Sequence, residues 1–82
     1  MNYSSVVITT ADRPEGMPFA ALERIDGLEL HQTDPDSRRI VAVIEAETTG
    51  LEADIFEKIR LTDGVADVSL VGHYFEDEAL EH

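Results

Sequence analysis

Two Asp-Gly pairs, Asp26-Gly27 and Asp63-Gly64, frame this chain, because each closes a helical segment and opens a strand-like run. Glycine takes the left-handed conformation that commonly ends a helix, so each pair marks a helix stop. Before the first pair, Pro18 suits the first position of a helix running to about residue 25, where a missing N–H costs nothing. A start at the Asp12…Glu15 capping box would instead bury Pro18 inside the hydrogen-bonded turns. Before the second pair, Leu51, Ile55 and Ile59 recur at helical spacing with Phe56 alongside.

The remaining segments read as strands. Residues 5–10 (SVVITT) are β-branched, which suits a pleated surface better than a helix. Residues 28–33 alternate Leu28 and Leu30 against Glu29 and His31. Asp34-Pro35-Asp36-Ser37 is a turn, with proline presetting φ and Asp and Ser bonding back to the backbone. Residues 39–47 (RIVAVIEAE) form the strongest strand, and residues 65–74 the last. The order β-α-β-β-α-β is the α+β, ferredoxin-like split βαβ plan. It predicts a four-stranded antiparallel sheet of spatial order 4-1-3-2, with two helices on one face and the other face open.

At 82 residues the chain holds one core, expected over residues 4–75. Residues 76–82 read as an acidic tail ending in Leu80-Glu81-His82, the remnant of a C-terminal affinity tag. The net charge is −12, from 6 Lys+Arg against 18 Asp+Glu, and only four of those carboxylates lie beyond residue 75. The acidity therefore belongs to the domain as well as the tail. Phosphate binding needs clustered basic residues, so a nucleic-acid partner is excluded. There is no cysteine, which removes disulfides, zinc ribbons, iron–sulfur sites and thiol nucleophiles. No apolar run approaches the ~20 residues of a membrane span, and the N-terminus lacks a signal-peptide core. The expectation is a soluble, cytoplasmic domain without membrane insertion.

Period-two assignment puts Val6, Ile8, Leu28, Leu30, Ile40, Ala42, Ile44, Val68 and Leu70 beneath the helices, against Leu22, Ile25, Leu51, Ile55 and Ile59. The opposite set is Ser5, Val7, Thr9, Glu29, His31, Val41, Val43, Glu45, Ser69, Val71 and His73. Four valines there, Val7, Val41, Val43 and Val71, make an apolar stripe with Glu29 and Glu45 at its margin. Such a surface suits a partner that is apolar in one part and basic in another. Three readings stay open on these grounds: a protein partner, a homodimer face, or valines present only for strand propensity.

Other chemistry is set aside. An acylphosphatase loop needs Arg and a water-positioning Asn, but the sole asparagine is Asn2 and the loop after the first strand is Thr10-Ala11-Asp12-Arg13-Pro14. The Cys-x-x-Cys of metallochaperones is absent, and an RNA-stacking face would carry aromatics. His31 and His73 fall near opposite sheet edges, which is poor placement for a shared metal. No enzyme activity, cofactor or metal is expected. Arg38-Arg39 lies mid-chain and opens a core strand, so it reads as an edge charge pair near Asp34 and Asp36.

Four segments together resemble the NapD family of cytoplasmic assembly chaperones for periplasmic nitrate reductase. They are Ser5-Val6-Val7-Ile8, Ile25-Asp26-Gly27-Leu28-Glu29-Leu30, Arg39-Ile40-Val41-Ala42-Val43-Ile44-Glu45-Ala46, and Asp63-Gly64-Val65-Ala66-Asp67-Val68-Ser69-Leu70-Val71-Gly72-His73. The pattern departs at Gly72, where an aromatic is expected; Tyr74 stands two residues on. The resemblance implies binding of the twin-arginine signal peptide of the nitrate reductase catalytic subunit, delaying Tat export until its cofactors are installed. The implied peptide surface is Val7, Glu29, Val41, Val43, Glu45, Val71 and His73. Its valines would take the apolar segment, and Glu29, Glu45 and Glu47 would attract the arginines. The stripe favours a helical peptide lying on the face over a strand added at an edge. The competing function is a ferredoxin-like dimerisation or small-molecule regulatory module.

Overall fold

A computed structural model describes residues 2–75, and the side chains of residues 2–72. The tail at residues 76–82 and its tag reading lie outside the described residues. The elements are β1 (Asn2–Thr10), α1 (Phe19–Glu23), β2 (Leu28–Asp34), β3 (Arg39–Ala46), α2 (Thr49–Arg60) and β4 (Val65–Phe75). The strands form one sheet in the order β2-β3-β1-β4, with every neighbouring pair antiparallel. This is the ferredoxin-like α+β plan that the element order implies.

Burial alternates strictly along β1, with Asn2, Ser4, Val6, Ile8 and Thr10 buried and the residues between them half-buried. The β3 residues Ile40, Ala42, Ile44 and Ala46 are buried beside them, joined by Val68 of β4. Leu22 of α1 and Ile55 and Ile59 of α2 cover this layer. Helix α2 is well begun and well ended: Leu51 N–H donates to the Thr48 hydroxyl at 3.1 Å. Glu52 sits in its first turn and Lys58 and Arg60 in its last, each complementing the helix dipole. Helix α1 is shorter than expected, a single turn ending in i→i+3 bonds from Arg24 and Ile25. With only Leu22 buried, it has too narrow an apolar face to extend further.

Two residues placed in the core by pattern alone are exposed. Leu70, on the edge strand β4, is 57% exposed. It lines a cleft of about 410 Å³ with Ser4, Ile44, Thr49, Glu52, Ala53, Phe56 and Glu57. Leu51 keeps the helical spacing but is 48% exposed, at the rim beside Asp26, Gly27, Glu45 and Ala46.

Both Asp-Gly glycines have positive φ, +85° at Gly27 and +96° at Gly64. At Gly27 a Cβ would fall 2.8 Å from the Glu45 carbonyl oxygen and 2.7 Å from Ile55 Cδ1. Glu45 N–H also donates to the Gly27 carbonyl at 2.7 Å, so the turn continues the β2–β3 pairing underneath α2. At Gly64 the Arg13 guanidinium fills the space a Cβ would take, and Ala11 N–H donates to the Gly64 carbonyl at 2.8 Å.

Candidate functional site

The open face is built from cross-strand rows, which the register gives residue by residue. Near one end lies Glu45–Tyr3–Tyr74, and next to it Glu29–Val43–Ser5–Gly72. The third row is Gln32–Val41–Val7–Ser69, and the fourth Asp34–Arg39–Thr9–Asp67. Val7, Val41 and Val43 therefore adjoin one another on the two central strands. Val7 and Val43 are half-buried and Val41 is 38% exposed, so their neighbours already shelter part of each. Neither helix covers this side. A shallow depression of about 330 Å³ lies here, lined by Val7, Gln32, Thr33, Asp34, Ser37, Arg39 and Val41.

Charge is spread unevenly around the valines. Glu29 and Glu45 are exposed at one end, and the His31 imidazole Nε2 lies 3.5 Å from Glu29 Oε1. At the other end Asp34 and Asp67 flank Arg39, with Ser69 Oγ donating to Asp67 at 3.3 Å. Among the described residues, Arg39 is the only Lys or Arg that the register sets on this face. The expected pairing of Arg38-Arg39 with Asp34 and Asp36 is not formed: neither arginine has an ion pair among the described residues. Asp34 instead accepts the Asp36 N–H at 3.2 Å, stiffening the turn. Arg38 takes φ +57°, and its carbonyl accepts both the N–H (2.8 Å) and the hydroxyl (3.1 Å) of Thr10.

Of the seven residues expected on the peptide surface, five are brought together on this face: Val7, Val41, Val43, Glu29 and Glu45. The other two are displaced by a β-bulge. The register steps from Val6↔Leu70 to Ser5↔Gly72, so Val71 is an extra residue without a cross-strand partner, 66% exposed. Strict alternation from Ser69 would set His73 opposite Tyr3, but the bulge sets it opposite Ser4, on the register of the helix-covered side. A second bulge at His31 leaves Gln32, not His31, opposite Val41. Thr9 is on the face as its alternation implies, whereas Tyr3, Gln32 and Arg39 were missed as members of it. Tyr3 was legible by continuing the alternation of β1 backward, and Gly72 is the kind of mid-strand glycine that marks a bulge.

The sequence matches the profile of the family described as NapD protein over residues 1–77. The chain belongs to the NapD family. In its fold it is similar to the solution structure of NapD, the Tat proofreading chaperone of E. coli, with a TM-score of 0.74 and 28% sequence identity. The likeness covers 93% of this chain and 80% of that one. A comparison with curated protein sequences finds no match. The sheet here has two helices on one side and a bare opposite side. Among the described residues, no helix is long and apolar enough to cross a membrane.

Proposed function

We propose that this chain holds the twin-arginine signal peptide of a periplasmic nitrate reductase catalytic subunit on the open face of its sheet. It does so in the cytoplasm, keeping the enzyme from Tat export until its cofactors are in place. The general role, a chaperone that binds Tat signal peptides, comes with the family. Holding a peptide requires no bond to be made or broken.

The observation that carries the reading is the uncovered Val7–Val41–Val43 patch with carboxylates at its margin. A twin-arginine signal peptide joins a basic pair to an apolar segment, which is the matching chemistry. Covering the exposed remainder of the three valines contributes roughly 1 kcal/mol apiece. Charge-assisted bonds from two arginines add about 1.5–3 kcal/mol each before desolvation. Lost freedom on association offsets roughly 4–15 kcal/mol, leaving a reversible complex rather than a permanent one. Release is part of the task, since the signal must still reach the export machinery.

Calorimetric titration with a synthetic twin-arginine signal peptide tests this. The expected result is 1:1 binding that weakens when Arg-Arg becomes Ala-Ala and when salt is raised, as screening predicts. Absence of binding, or a second copy of the chain occupying the face in solution, would sink the proposal.

A further inference from the structure

The charges on the open face are ordered along the strands as well as around the patch. The Glu45 end holds Glu29 and Glu45, with exposed Glu47 just beyond, and no Lys or Arg among the described residues of those two rows. The Arg39 end holds the face's described cation between Asp34 and Thr9, with Asp67 beyond Thr9. Its row thus sets one guanidinium against two carboxylates, where the Glu45 end has carboxylates alone. Val43, Val41 and Val7 lie between the two ends. From Glu45 to Arg39 the chain advances six residues along β3, or about 20 Å at 3.3 Å per residue. A helix covers that distance in about 13 residues.

Resting on the function proposed above, we infer that the face binds its peptide in one direction only. The arginine pair lies over Glu29 and Glu45, the apolar segment runs over Val43, Val41 and Val7, and the peptide's C-terminal end stops at Arg39. Two effects act in the same sense. The reversed peptide would bring its arginines against the Arg39 guanidinium, a like-charge contact that offsets the pull of Asp34 and Asp67, and away from Glu29 and Glu45. A helical peptide in the favoured direction also sets its positive N-terminal dipole end over carboxylates and its negative end over Arg39. Arg39 is thus a residue that fixes direction by repulsion, a role distinct from adding affinity.

The test uses the whole chain, isotope-labelled, with a synthetic twin-arginine signal peptide carrying a nitroxide either before the Arg-Arg pair or after the apolar segment. The N-terminal nitroxide is expected to erase the amide signals of Tyr3 and Glu45 and spare those of Thr9 and Arg39. The C-terminal nitroxide is expected to do the reverse. In Arg39→Glu, whose fold is checked by circular dichroism, each label is expected to attenuate both ends, because the cation that offsets Asp34 and Asp67 is gone and carboxylates alone face the arginines at either end. The opposite pattern in the unaltered chain, or equal attenuation of both ends by each label, overturns the direction while leaving peptide binding intact. Bound peptide that attenuates only α2, or a peptide that does not bind, overturns the function proposed above instead.

Discussion

Replacing Gly27 by alanine joins the stability of the fold to the placement of the site. The substitution meets two costs at once. At φ +85° an L-residue is strained by roughly 1–2 kcal/mol. The new Cβ would also press on the Glu45 carbonyl oxygen, a backbone atom, and on Ile55 Cδ1, at 2.8 and 2.7 Å. Overpacking of this kind costs about 1–3 kcal/mol, so the expected loss is about 2–5 kcal/mol. That is a large part of the ~5–15 kcal/mol that holds a small domain. Two other glycines serve as references. Gly16 has φ +80° but nothing within 4 Å, so Gly16→Ala should show the backbone strain alone. Gly72 has neither a positive φ nor a neighbour within 4 Å, so Gly72→Ala should be neutral or stabilising by up to ~1 kcal/mol. Urea denaturation read at constant slope orders the three. A Gly27→Ala loss no larger than that of Gly16→Ala would show that the close approach to Glu45 and Ile55 does not exist, and with it the described junction of β2, β3 and α2.

Other outcomes follow from single features. Val41→Ser should weaken twin-arginine peptide binding by roughly fivefold, about 1 kcal/mol, in a calorimetric titration. Val68→Ser, at a position only 7% exposed, should instead lower the denaturation midpoint. Thr48→Ala removes the hydroxyl that caps α2 and should cost about 1 kcal/mol of stability by urea denaturation. Glu57 accepts a side-chain hydrogen bond from Arg60, which holds its carboxyl below the usual glutamate range and raises the guanidinium's pKa. The pair's contribution is therefore present above the ordinary glutamate pKa and lost as pH falls through the lowered one. Carboxyl-carbon NMR should find Glu57 titrating low, and returning upward in Arg60→Ala.

The order of elements and most of the core were legible because they rest on local signals. The Asp-Gly helix stops, the Asp-Pro-Asp-Ser turn and the alternation of β3 each act within a few residues. The residues that escaped notice depend on partners distant in sequence. β1 begins at Asn2 rather than residue 5, although Asn2 and Ser4 are polar and buried. They are accommodated because Ser4 donates to the Glu52 carboxylate and Asn2 Nδ2 donates to Thr49 Oγ1 at 3.4 Å, bonds that reach across to α2. A pattern of hydrophobic positions carries no trace of such bonds, so Tyr3 was missed with them. The bulges at His31 and Val71 had the same effect on the face: one extra residue changes every pairing beyond it. Leu70 and Leu51 show the opposite error, since apolar spacing alone does not reveal that a residue on an edge strand or at the rim of a helix stays exposed.

Alternation along the strands makes the central claim separable from its rivals in a single spectrum. Val7, Val41 and Val43 belong to the open face, while Val6, Ile8, Ile40, Ile44 and Ile59 are fully buried on the other side. Methyl-resolved NMR of the whole chain, titrated with a twin-arginine signal peptide, should shift the first three and leave the buried five in place. Shifts confined to methyls on the helix side, with Val7, Val41 and Val43 unmoved at saturation, would contradict the assignment of the open sheet face as the peptide-binding surface.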